Sequence, residues 1–201
     1  MFNVLLDKLP TEYEGFPIDS DFQTGIQLWQ IFEDETLSQY EKDEICRELL
    51  FLDKDAEGNP IELPDIGVAL KGVKWFLSEW YKDRADGKDN TRVMDYDIDQ
   101  WRIYSAFRTQ YGINLNTDKL HFWEFMGLLN TLNECAFTRI AGIRQQRLSK
   151  NMSQDERNAL RKAKKRYALT AEEENSDAEE ENSDADEEAI DTFMKYVKQG
   201  N

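Results

Sequence analysis

The sequence has little of what catalytic and metal-binding sites usually require. Its 201 residues include one histidine, His121, and two cysteines, Cys46 and Cys135, which lie far apart. A zinc site needs several closely spaced His or Cys ligands, and the sequence has neither a CxxC pair nor a histidine cluster. The patterns GxxxxGKS/T, GxSxG and HExxH are missing as well. We therefore expect no enzyme activity and no cofactor, and we interpret His121 as a packing or surface residue.

Long hydrophobic runs are missing too. The first residues, MFNVLLDKLP, are apolar only as far as Leu6, because Asp7 and Lys8 follow. A secretory signal needs a longer apolar region, and a membrane span needs about 20 apolar residues. The two cysteines lie within helix-like patterns, which is typical of buried free thiols in a reducing compartment. We expect a cytoplasmic protein without a membrane partner.

Positive charge is scarce overall and unevenly distributed. There are 25 Lys and Arg against 41 Asp and Glu, which gives a net charge of -16 at pH 7. This charge repels phosphate, so nucleic-acid binding by the whole molecule is disfavoured. Residues 139–169 nevertheless hold ten Lys or Arg, whereas residues 170–188 hold eleven acids and no base. The acidic stretch contains EEENSDA at 172–178 and again at 179–185, and it predicts a disordered linker.

One acidic motif imitates a metal site. Asp53, Asp55 and Glu57 alternate before Gly58, as in the first half of a calcium-binding loop. The twelfth position of such a loop must supply a bidentate carboxylate, but here that position is Pro64. We interpret the segment as a turn rich in acids.

What the sequence does contain is a large supply of apolar side chains with helical spacing. Hydrophobic residues make up 40% and aromatic residues 12%, enough for a real core. Apolar positions recur at intervals of three and four, which predicts amphipathic helices. The expected core positions are Phe22, Ile26, Trp29 and Phe32 in the first helix, Ile45, Leu49 and Leu52 in the second, Ile66, Leu70, Val73, Leu77 and Trp80 in the third, and Ile98, Trp101, Tyr104, Phe107 and Tyr111 in the fourth.

Two further helices are predicted beyond Gly112. The fifth is apolar on more than one face, so we expect it in the middle of a bundle, continuing into ECAFTRIAGIR. The other of these two helices is basic, starts at a capping box of Ser153 and Glu156, and reaches Leu169. The expected N-terminal caps are Asp21, Ser38, Asp97, Thr117 and Ser153, with Pro64 in the first turn of the third helix.

Together these segments predict a mainly α fold, a single helical bundle over residues 1–169. Alternation in residues 9–19 around Glu14-Gly15 predicts a short β-hairpin before the first helix. After the acidic linker, 170–188, we expect a short amphipathic helix over 189–199. Its apolar side chains are Ile190, Phe193, Met194 and Val197. Such a helix either docks on another protein or folds onto its own domain, and the pattern leaves both open.

The basic helix is a second candidate for contact with a partner. Arg161, Lys162 and Lys165 could grip phosphate or an acidic protein. The alternative is a solvated face that the following acids partly neutralise.

The order of the segments resembles a known family. The pattern starts with LPTEYEGFPIDSDFQTGIQLWQIFED, continues through GVALKGVKWFLSEWY and DYDIDQWRIYSAFRTQYGINLNTDKLHFWEFMGLLNTL, and ends with FTRIAGIRQQRLSK and LRKAKKRYAL. It is similar, over residues 9–169, to the tail assembly chaperones of tailed phages and prophages of Gram-positive bacteria. YGINL, HFWEFMGLL and IAGIR are the most telling parts of this resemblance.

The resemblance implies a non-enzymatic helper that is encoded ahead of the tape-measure protein. Such a helper binds the tape-measure chain in the host cytoplasm, helps to recruit tail-tube subunits, and is absent from the finished virion. We expect the helices of Trp75, Trp80, Trp101 and Trp123 to supply the binding surface, with self-association left open. The alternatives are a nucleic-acid-binding regulator that uses residues 157–166 and a structural virion protein.

Overall fold

The computed structural model of the protein describes residues 2–55, 57–80, 92–149 and 151–170. These residues form seven α-helices and one two-stranded hairpin, which confirms the predicted mainly helical fold. The elements are β1 (Glu12–Tyr13), β2 (Phe16–Pro17), α1 (Phe22–Glu33), α2 (Gln39–Leu50), α3 (Ile66–Ser78), α4 (Gln100–Gln110), α5 (Phe122–Asn130), α6 (Ala136–Gln145) and α7 (Gln154–Tyr167).

Two of the expectations concern residues that are not among those described. The predicted linker lies outside them except for Thr170, and the predicted helix over 189–199 lies outside them entirely. None of the described helices is long and apolar enough to cross a membrane.

The predicted hairpin is confirmed. β1 and β2 pair antiparallel, with Glu12 opposite Pro17 and Tyr13 opposite Phe16. Glu14 and Gly15 form the turn, with φ angles of 50° and 85°. Two central residues with positive φ are the mark of a type I′ turn, whose twist matches that of the flanking strands.

Three of the predicted helix caps are confirmed. The carboxylate of Asp21 accepts a hydrogen bond from the Gln23 amide at the start of α1. Ser38 begins α2 in a capping box with Glu41, and Ser153 begins α7 in a capping box with Glu156.

Three other predicted helix starts are wrong. Pro64 is buried just before α3, whose cap is Asp65, because this carboxylate accepts from the Gly67 and Val68 amides. Thr117 lies in a turn of residues 114–118, and α5 is instead capped by His121. The Asp97 amide donates to the carboxylate of Asp95, and α4 begins only at Gln100.

The predicted continuation of the fifth helix into ECAFTRIAGIR is also wrong. α5 ends at Asn130 and α6 begins after Cys135. Between them, the amide of Asn133 donates to the side-chain oxygen of Gln110 at 2.9 Å. The Cys135 amide donates to the hydroxyl of Thr138, which replaces the hydrogen bond that a continuous helix would provide.

Contacts divide the chain into two compact units. Unit 1 comprises the described residues of Met1–Gly87 and Tyr104–Asn133, and unit 2 comprises those of Lys88–Ile103 and Glu134–Asn201. In unit 1, four of the nine residues of α5 are buried. These are Phe122, Trp123, Phe125 and Leu129. Stacked rings of Phe22 and Phe107 lie against Phe125, with centroids 5.0 and 5.1 Å away.

The face by which α1 joins this core differs from the predicted one. Phe22 and Leu28 are buried, whereas Trp29 and Phe32 are 39% and 37% exposed. The reason is Gly25: a Cβ atom there would lie 2.0 Å from the ring of Phe122. The face with the smallest side chains therefore approaches α5 most closely.

The expected core faces of three other helices were also wrong in part. In α2, Cys46 and Leu50 are buried, whereas Ile45 is exposed, as is Leu52 just after the helix. In α3, Val73 and Leu77 of the predicted face are buried, Leu70 is half-buried, and Ile66 is exposed at the first turn. Near the start of α4, Ile98 and Trp101 are exposed; the buried side chains of this helix are Ile103, Ala106 and Phe107.

Candidate protein-binding surfaces

Two of the four predicted binding tryptophans belong to one aromatic cluster in unit 1. The rings of Trp75 and Trp123 meet edge to face with centroids 5.0 Å apart, and Tyr13 lies 5.0 Å from Trp75. Trp123 is buried, and its indole N–H donates to the carbonyl oxygen of Phe76 at 2.7 Å. Trp75 is half-buried, so it is the more exposed member of the pair.

A short turn at the N-terminus carries the most exposed aliphatic side chains among the described residues. We call residues 3–7 the aliphatic turn. Val4, Leu5 and Leu6 are 64%, 88% and 82% exposed. Asn3 and Asp7 close the turn, because the amides of Leu6 and Asp7 donate to the Asn3 carbonyl and the Asn3 amide donates to the Asp7 carboxylate. This fixed apolar projection was not predicted as a site.

The aliphatic turn is attached to the aromatic cluster through the residue that precedes it. The ring of Phe2 meets Trp123 edge to face, with centroids 5.1 Å apart. Farther along, the carbonyl oxygen of Pro10 lies 2.9 Å from Nε2 of His121. The N-terminal segment is thus held at two points on the N-terminal end of α5.

The other two predicted tryptophans occupy different surroundings. Trp80 is half-buried just after the end of α3. Trp101 is in unit 2, in the first turn of α4, and is 70% exposed. Ile98, which precedes α4, is also exposed, so unit 2 has exposed apolar side chains of its own.

A buried ion pair that the sequence did not predict lies at the centre of unit 2. Asp99 is fully buried, and its carboxylate accepts hydrogen bonds from the guanidinium groups of Arg144 and Arg102. Arg144 also donates to the carbonyl oxygens of Val93 and Tyr167. One arginine of α6 therefore holds the segment before α4 and the C-terminal end of α7.

A sequence signal for Arg144 did exist. Phe137 and Ile140 are buried on α6, and Arg144 lies on the same face at helical spacing. A charged residue that continues an apolar stripe is a candidate for a buried pair, although charge alone is usually read as exposure.

The basic helix α7 has an inner and an outer face. Leu160 is buried and Tyr167 is half-buried on the inner side. Lys162 and Lys165 are exposed, together with Arg166, whereas Arg161 is half-buried. We call Lys162, Lys165 and Arg166 the cationic face. Two of the three predicted contact residues on this helix, Lys162 and Lys165, are therefore on the outer surface.

The other predicted binding residues, Ile190, Phe193, Met194 and Val197, lie outside the described residues.

The single histidine has a structural role at the start of α5. Its Nδ1 accepts a hydrogen bond from the Trp123 amide at 3.0 Å, so Nε2 carries the proton that is donated to Pro10. Burial lowers the pKa of His121, because the charged form loses its water. This agrees with its interpretation as a packing residue and adds the capping role.

The acidic motif around Asp55 forms a turn. The carboxylate of Asp55 accepts hydrogen bonds from the amides of Glu57 and Asn59 and from the Asn59 side chain. These hydrogen bonds lower the pKa of Asp55. Within the described ranges, no group of three or more His, Cys, Asp or Glu side chains is placed to hold a metal ion.

The chain is thus a mainly helical protein with exposed aliphatic side chains on the aliphatic turn and exposed cations on α7. The chain belongs to the Bacteriophage Gp15 protein family, whose model matches residues 5–169. The match thus includes Leu5 and Leu6 of the aliphatic turn and all seven described helices. No curated protein and no solved structure matches the chain.

Proposed function

We propose that this phage-family protein is a non-enzymatic tail assembly chaperone that binds the tape-measure protein in the host cytoplasm. In this role it keeps the tape-measure chain soluble, helps to recruit tail-tube subunits, and is released before the virion is complete. Membership of a bacteriophage family supports the phage setting. The more specific role rests on the resemblance of residues 9–169 to tail assembly chaperones and on the surface of unit 1.

The aliphatic turn is the observation that carries the proposal. Three consecutive aliphatic side chains project into water from a backbone that hydrogen bonds hold closed. Fixed apolar projections of this kind are typical of protein-binding sites. Full burial of Leu5 or Leu6 by a partner would contribute about 1.5–3 kcal/mol for each side chain.

The chemistry of the turn suits a helical partner with an apolar stripe. A tape-measure chain that has not yet assembled exposes such stripes, and they aggregate unless another surface covers them. The turn has little conformational freedom left to lose, so binding costs less entropy than it would for an unstructured segment. Half-buried Trp75 offers further apolar area in the same unit.

Co-expression with the tape-measure protein tests this proposal. We expect the soluble yield of the tape-measure protein to rise severalfold with the native chain. The variant Leu5→Ser with Leu6→Ser should lose most of this gain. A matched surface variant on α2, Glu48→Ser, should keep it, because Glu48 is exposed and lies outside the aliphatic turn.

Two results would contradict the proposal. The first is an unchanged yield of the tape-measure protein with the native chain. The second is a stoichiometric amount of this chain in purified particles by mass spectrometry, which would favour a structural virion protein instead.

A second candidate function is nucleic-acid binding through α7. The observation in its favour is the cationic face, where Lys162, Lys165 and Arg166 project from one side of the helix. Binding that neutralises phosphates weakens steeply as salt rises. Fluorescence anisotropy with a labelled DNA duplex at low salt should therefore detect binding, and the triple variant K162E, K165E, R166E should abolish it. Binding should strengthen when residues 170–201 are removed, and an absence of binding by that shortened chain at low salt excludes this function.

A further inference from the structure

We propose that the cationic face of α7 is a docking site for the acidic repeats of the same chain, residues 172–178 and 179–185. The occupant is a segment outside the described residues, and it is chosen by charge and by its position in the chain. This inference concerns a contact within the chain and is independent of the proposed chaperone function, whereas repeats docked on the cationic face would compete with nucleic acid for the same cations.

The cationic face is available for such a contact. Lys162, Lys165 and Arg166 lie at intervals of three and four, which places them on one side of the helix. Within the part of the chain that the structure describes, no acidic side chain pairs with any of the three. The two acids of α7 lie in its first turn, where Glu156 is used by the capping box with Ser153.

The opposite side of α7 is already engaged. Leu160 is buried, and α7 packs against α6. Arg144 fixes the C-terminal end by donating to the carbonyl oxygen of Tyr167 at 2.7 Å. The position of α7 is therefore fixed by α6 and Arg144, and its cationic face points away from these contacts.

The acidic repeats have the charge and the position that the face requires. Each repeat, EEENSDA, carries four acids and no base. The first repeat begins at residue 172, a few residues after Arg166, and each extended residue spans about 3.3–3.6 Å. A short tether of this length gives a local concentration on the order of millimolar, so several ion pairs formed together at low salt favour docking.

Repetition has a specific consequence for this contact. Because both repeats carry the same charges in the same order, either can occupy the cationic face. We therefore expect contact to survive when one repeat is neutralised and to be lost when both are. A single fixed complex would lack this redundancy.

Paramagnetic relaxation in the full chain tests the proposal. A nitroxide is attached at Ser183→Cys in a chain that also carries Cys135→Ser, while Cys46 stays unlabelled because it is buried. At about 0.01 M salt, where screening acts over about 30 Å, the label should broaden the amide signals of residues 162–166. This broadening should be about twofold greater than in the variant that neutralises all eight acids of the two repeats, E172Q, E173Q, E174Q, D177N, E179Q, E180Q, E181Q, D184N, and the difference should vanish at about 1 M salt.

Controls separate charge-driven docking from mere proximity along the chain. The triple variant K162E, K165E, R166E should behave like the neutralised tail, whereas neutralisation of one repeat alone should preserve the effect. Equal broadening in the native chain and in the variant with both repeats neutralised overturns the proposal. A mixed sample gives a second test, in which one set of chains carries the isotope label and another set carries only the nitroxide. Broadening in this mixture also overturns the proposal, because it assigns the contact to a second copy of the chain.

Discussion

Arg144 and Asp99 form a bidentate ion pair inside unit 2, with N to O distances of 2.6 and 3.3 Å. Both side chains are almost completely removed from water, with exposures of 5% and 0%. The remaining hydrogen-bonding capacity is also used, since Asp99 accepts from Arg102 and Arg144 donates to two carbonyl oxygens. The pair therefore connects α4, α6 and α7 and fixes the helix that carries the cationic face.

Removing one member of this pair should destabilise the protein strongly. The change Arg144→Met leaves a buried carboxylate with less compensation, and we expect a loss of about 3–5 kcal/mol in the free energy of unfolding. The pair of Lys119 and Asp21 provides the control, because the Lys119 side chain is 92% exposed and Lys119→Met should cost no more than about 1 kcal/mol. Urea denaturation followed by circular dichroism measures both changes.

A double-mutant cycle isolates the interaction of the pair. Asp99→Leu combined with Arg144→Met removes both charges, so the double variant should be more stable than the sum of the single changes implies. It should not recover fully, because the carbonyl oxygens of Val93 and Tyr167 lose their donor. Additive effects of the two single changes would contradict a coupled pair.

Close packing of α1 against α5 gives a second prediction. Gly25→Ala places a methyl group 2.0 Å from the ring of Phe122, so the ring or the helix must move. Overpacking of this kind costs about 1–3 kcal/mol. At Gly127 in α5 a Cβ atom meets nothing within 4 Å, so Gly127→Ala should instead stabilise the protein by about 0.5–1 kcal/mol. Thermal unfolding of the two variants should give shifts of opposite sign.

Short-range patterns predicted three of the six helix starts and the hairpin turn in this chain. The caps at Ser38 and Ser153 and the turn at Glu14-Gly15 depend on residues within a few positions of one another. Which side of α1 packs into the core depends instead on a residue far away in the sequence, because the ring of Phe122 lies directly against Gly25. Periodicity identifies an apolar stripe, but it does not reveal that a neighbouring stripe containing a glycine allows closer approach.

The candidate site shows the same division between local and distant determinants. Large aromatic residues were expected to form the binding surface, but Trp123 is in the core, because its ring packs against Trp75 and its N–H bonds to Phe76. Leu5 and Leu6 lie outside any helical pattern, so no periodic signal marked them as surface. Their choice as a candidate site rests on their exposure on a closed turn.

The histidine cap predicts how stability depends on pH. The pKa of His121 is lowered in the fold from its ordinary value of 6.5, because burial disfavours the charged ring. The stabilisation from its neutral form is therefore complete above pH 6.5 and is lost as pH falls through the lower folded pKa. Protonation also places a second N–H on Nδ1, which then faces the Trp123 amide instead of accepting from it.

The variant His121→Asn isolates this contribution. Asn can cap a helix and does not titrate, so it removes the histidine term while keeping a cap. Urea midpoints measured from neutral pH down to about pH 5 should fall more for the native chain than for the variant. Parallel curves would show that His121 contributes nothing to the acid sensitivity.

Cys46 and Cys135 should differ sharply in reactivity. Cys46 is fully buried, and burial raises the pKa of its thiol to about 11, so almost no thiolate is present near neutral pH. Cys135 is half-exposed in the connection before α6. Iodoacetamide should therefore modify Cys135 in the folded protein, whereas Cys46 should react only when the core around α2 opens.

Peptide mass spectrometry over time separates the two rates, and urea at the unfolding midpoint should raise the Cys46 rate far more than the Cys135 rate. Rapid modification of Cys46 without urea would mean that α2 leaves its place beside α1 and α3 far more often than its packing implies.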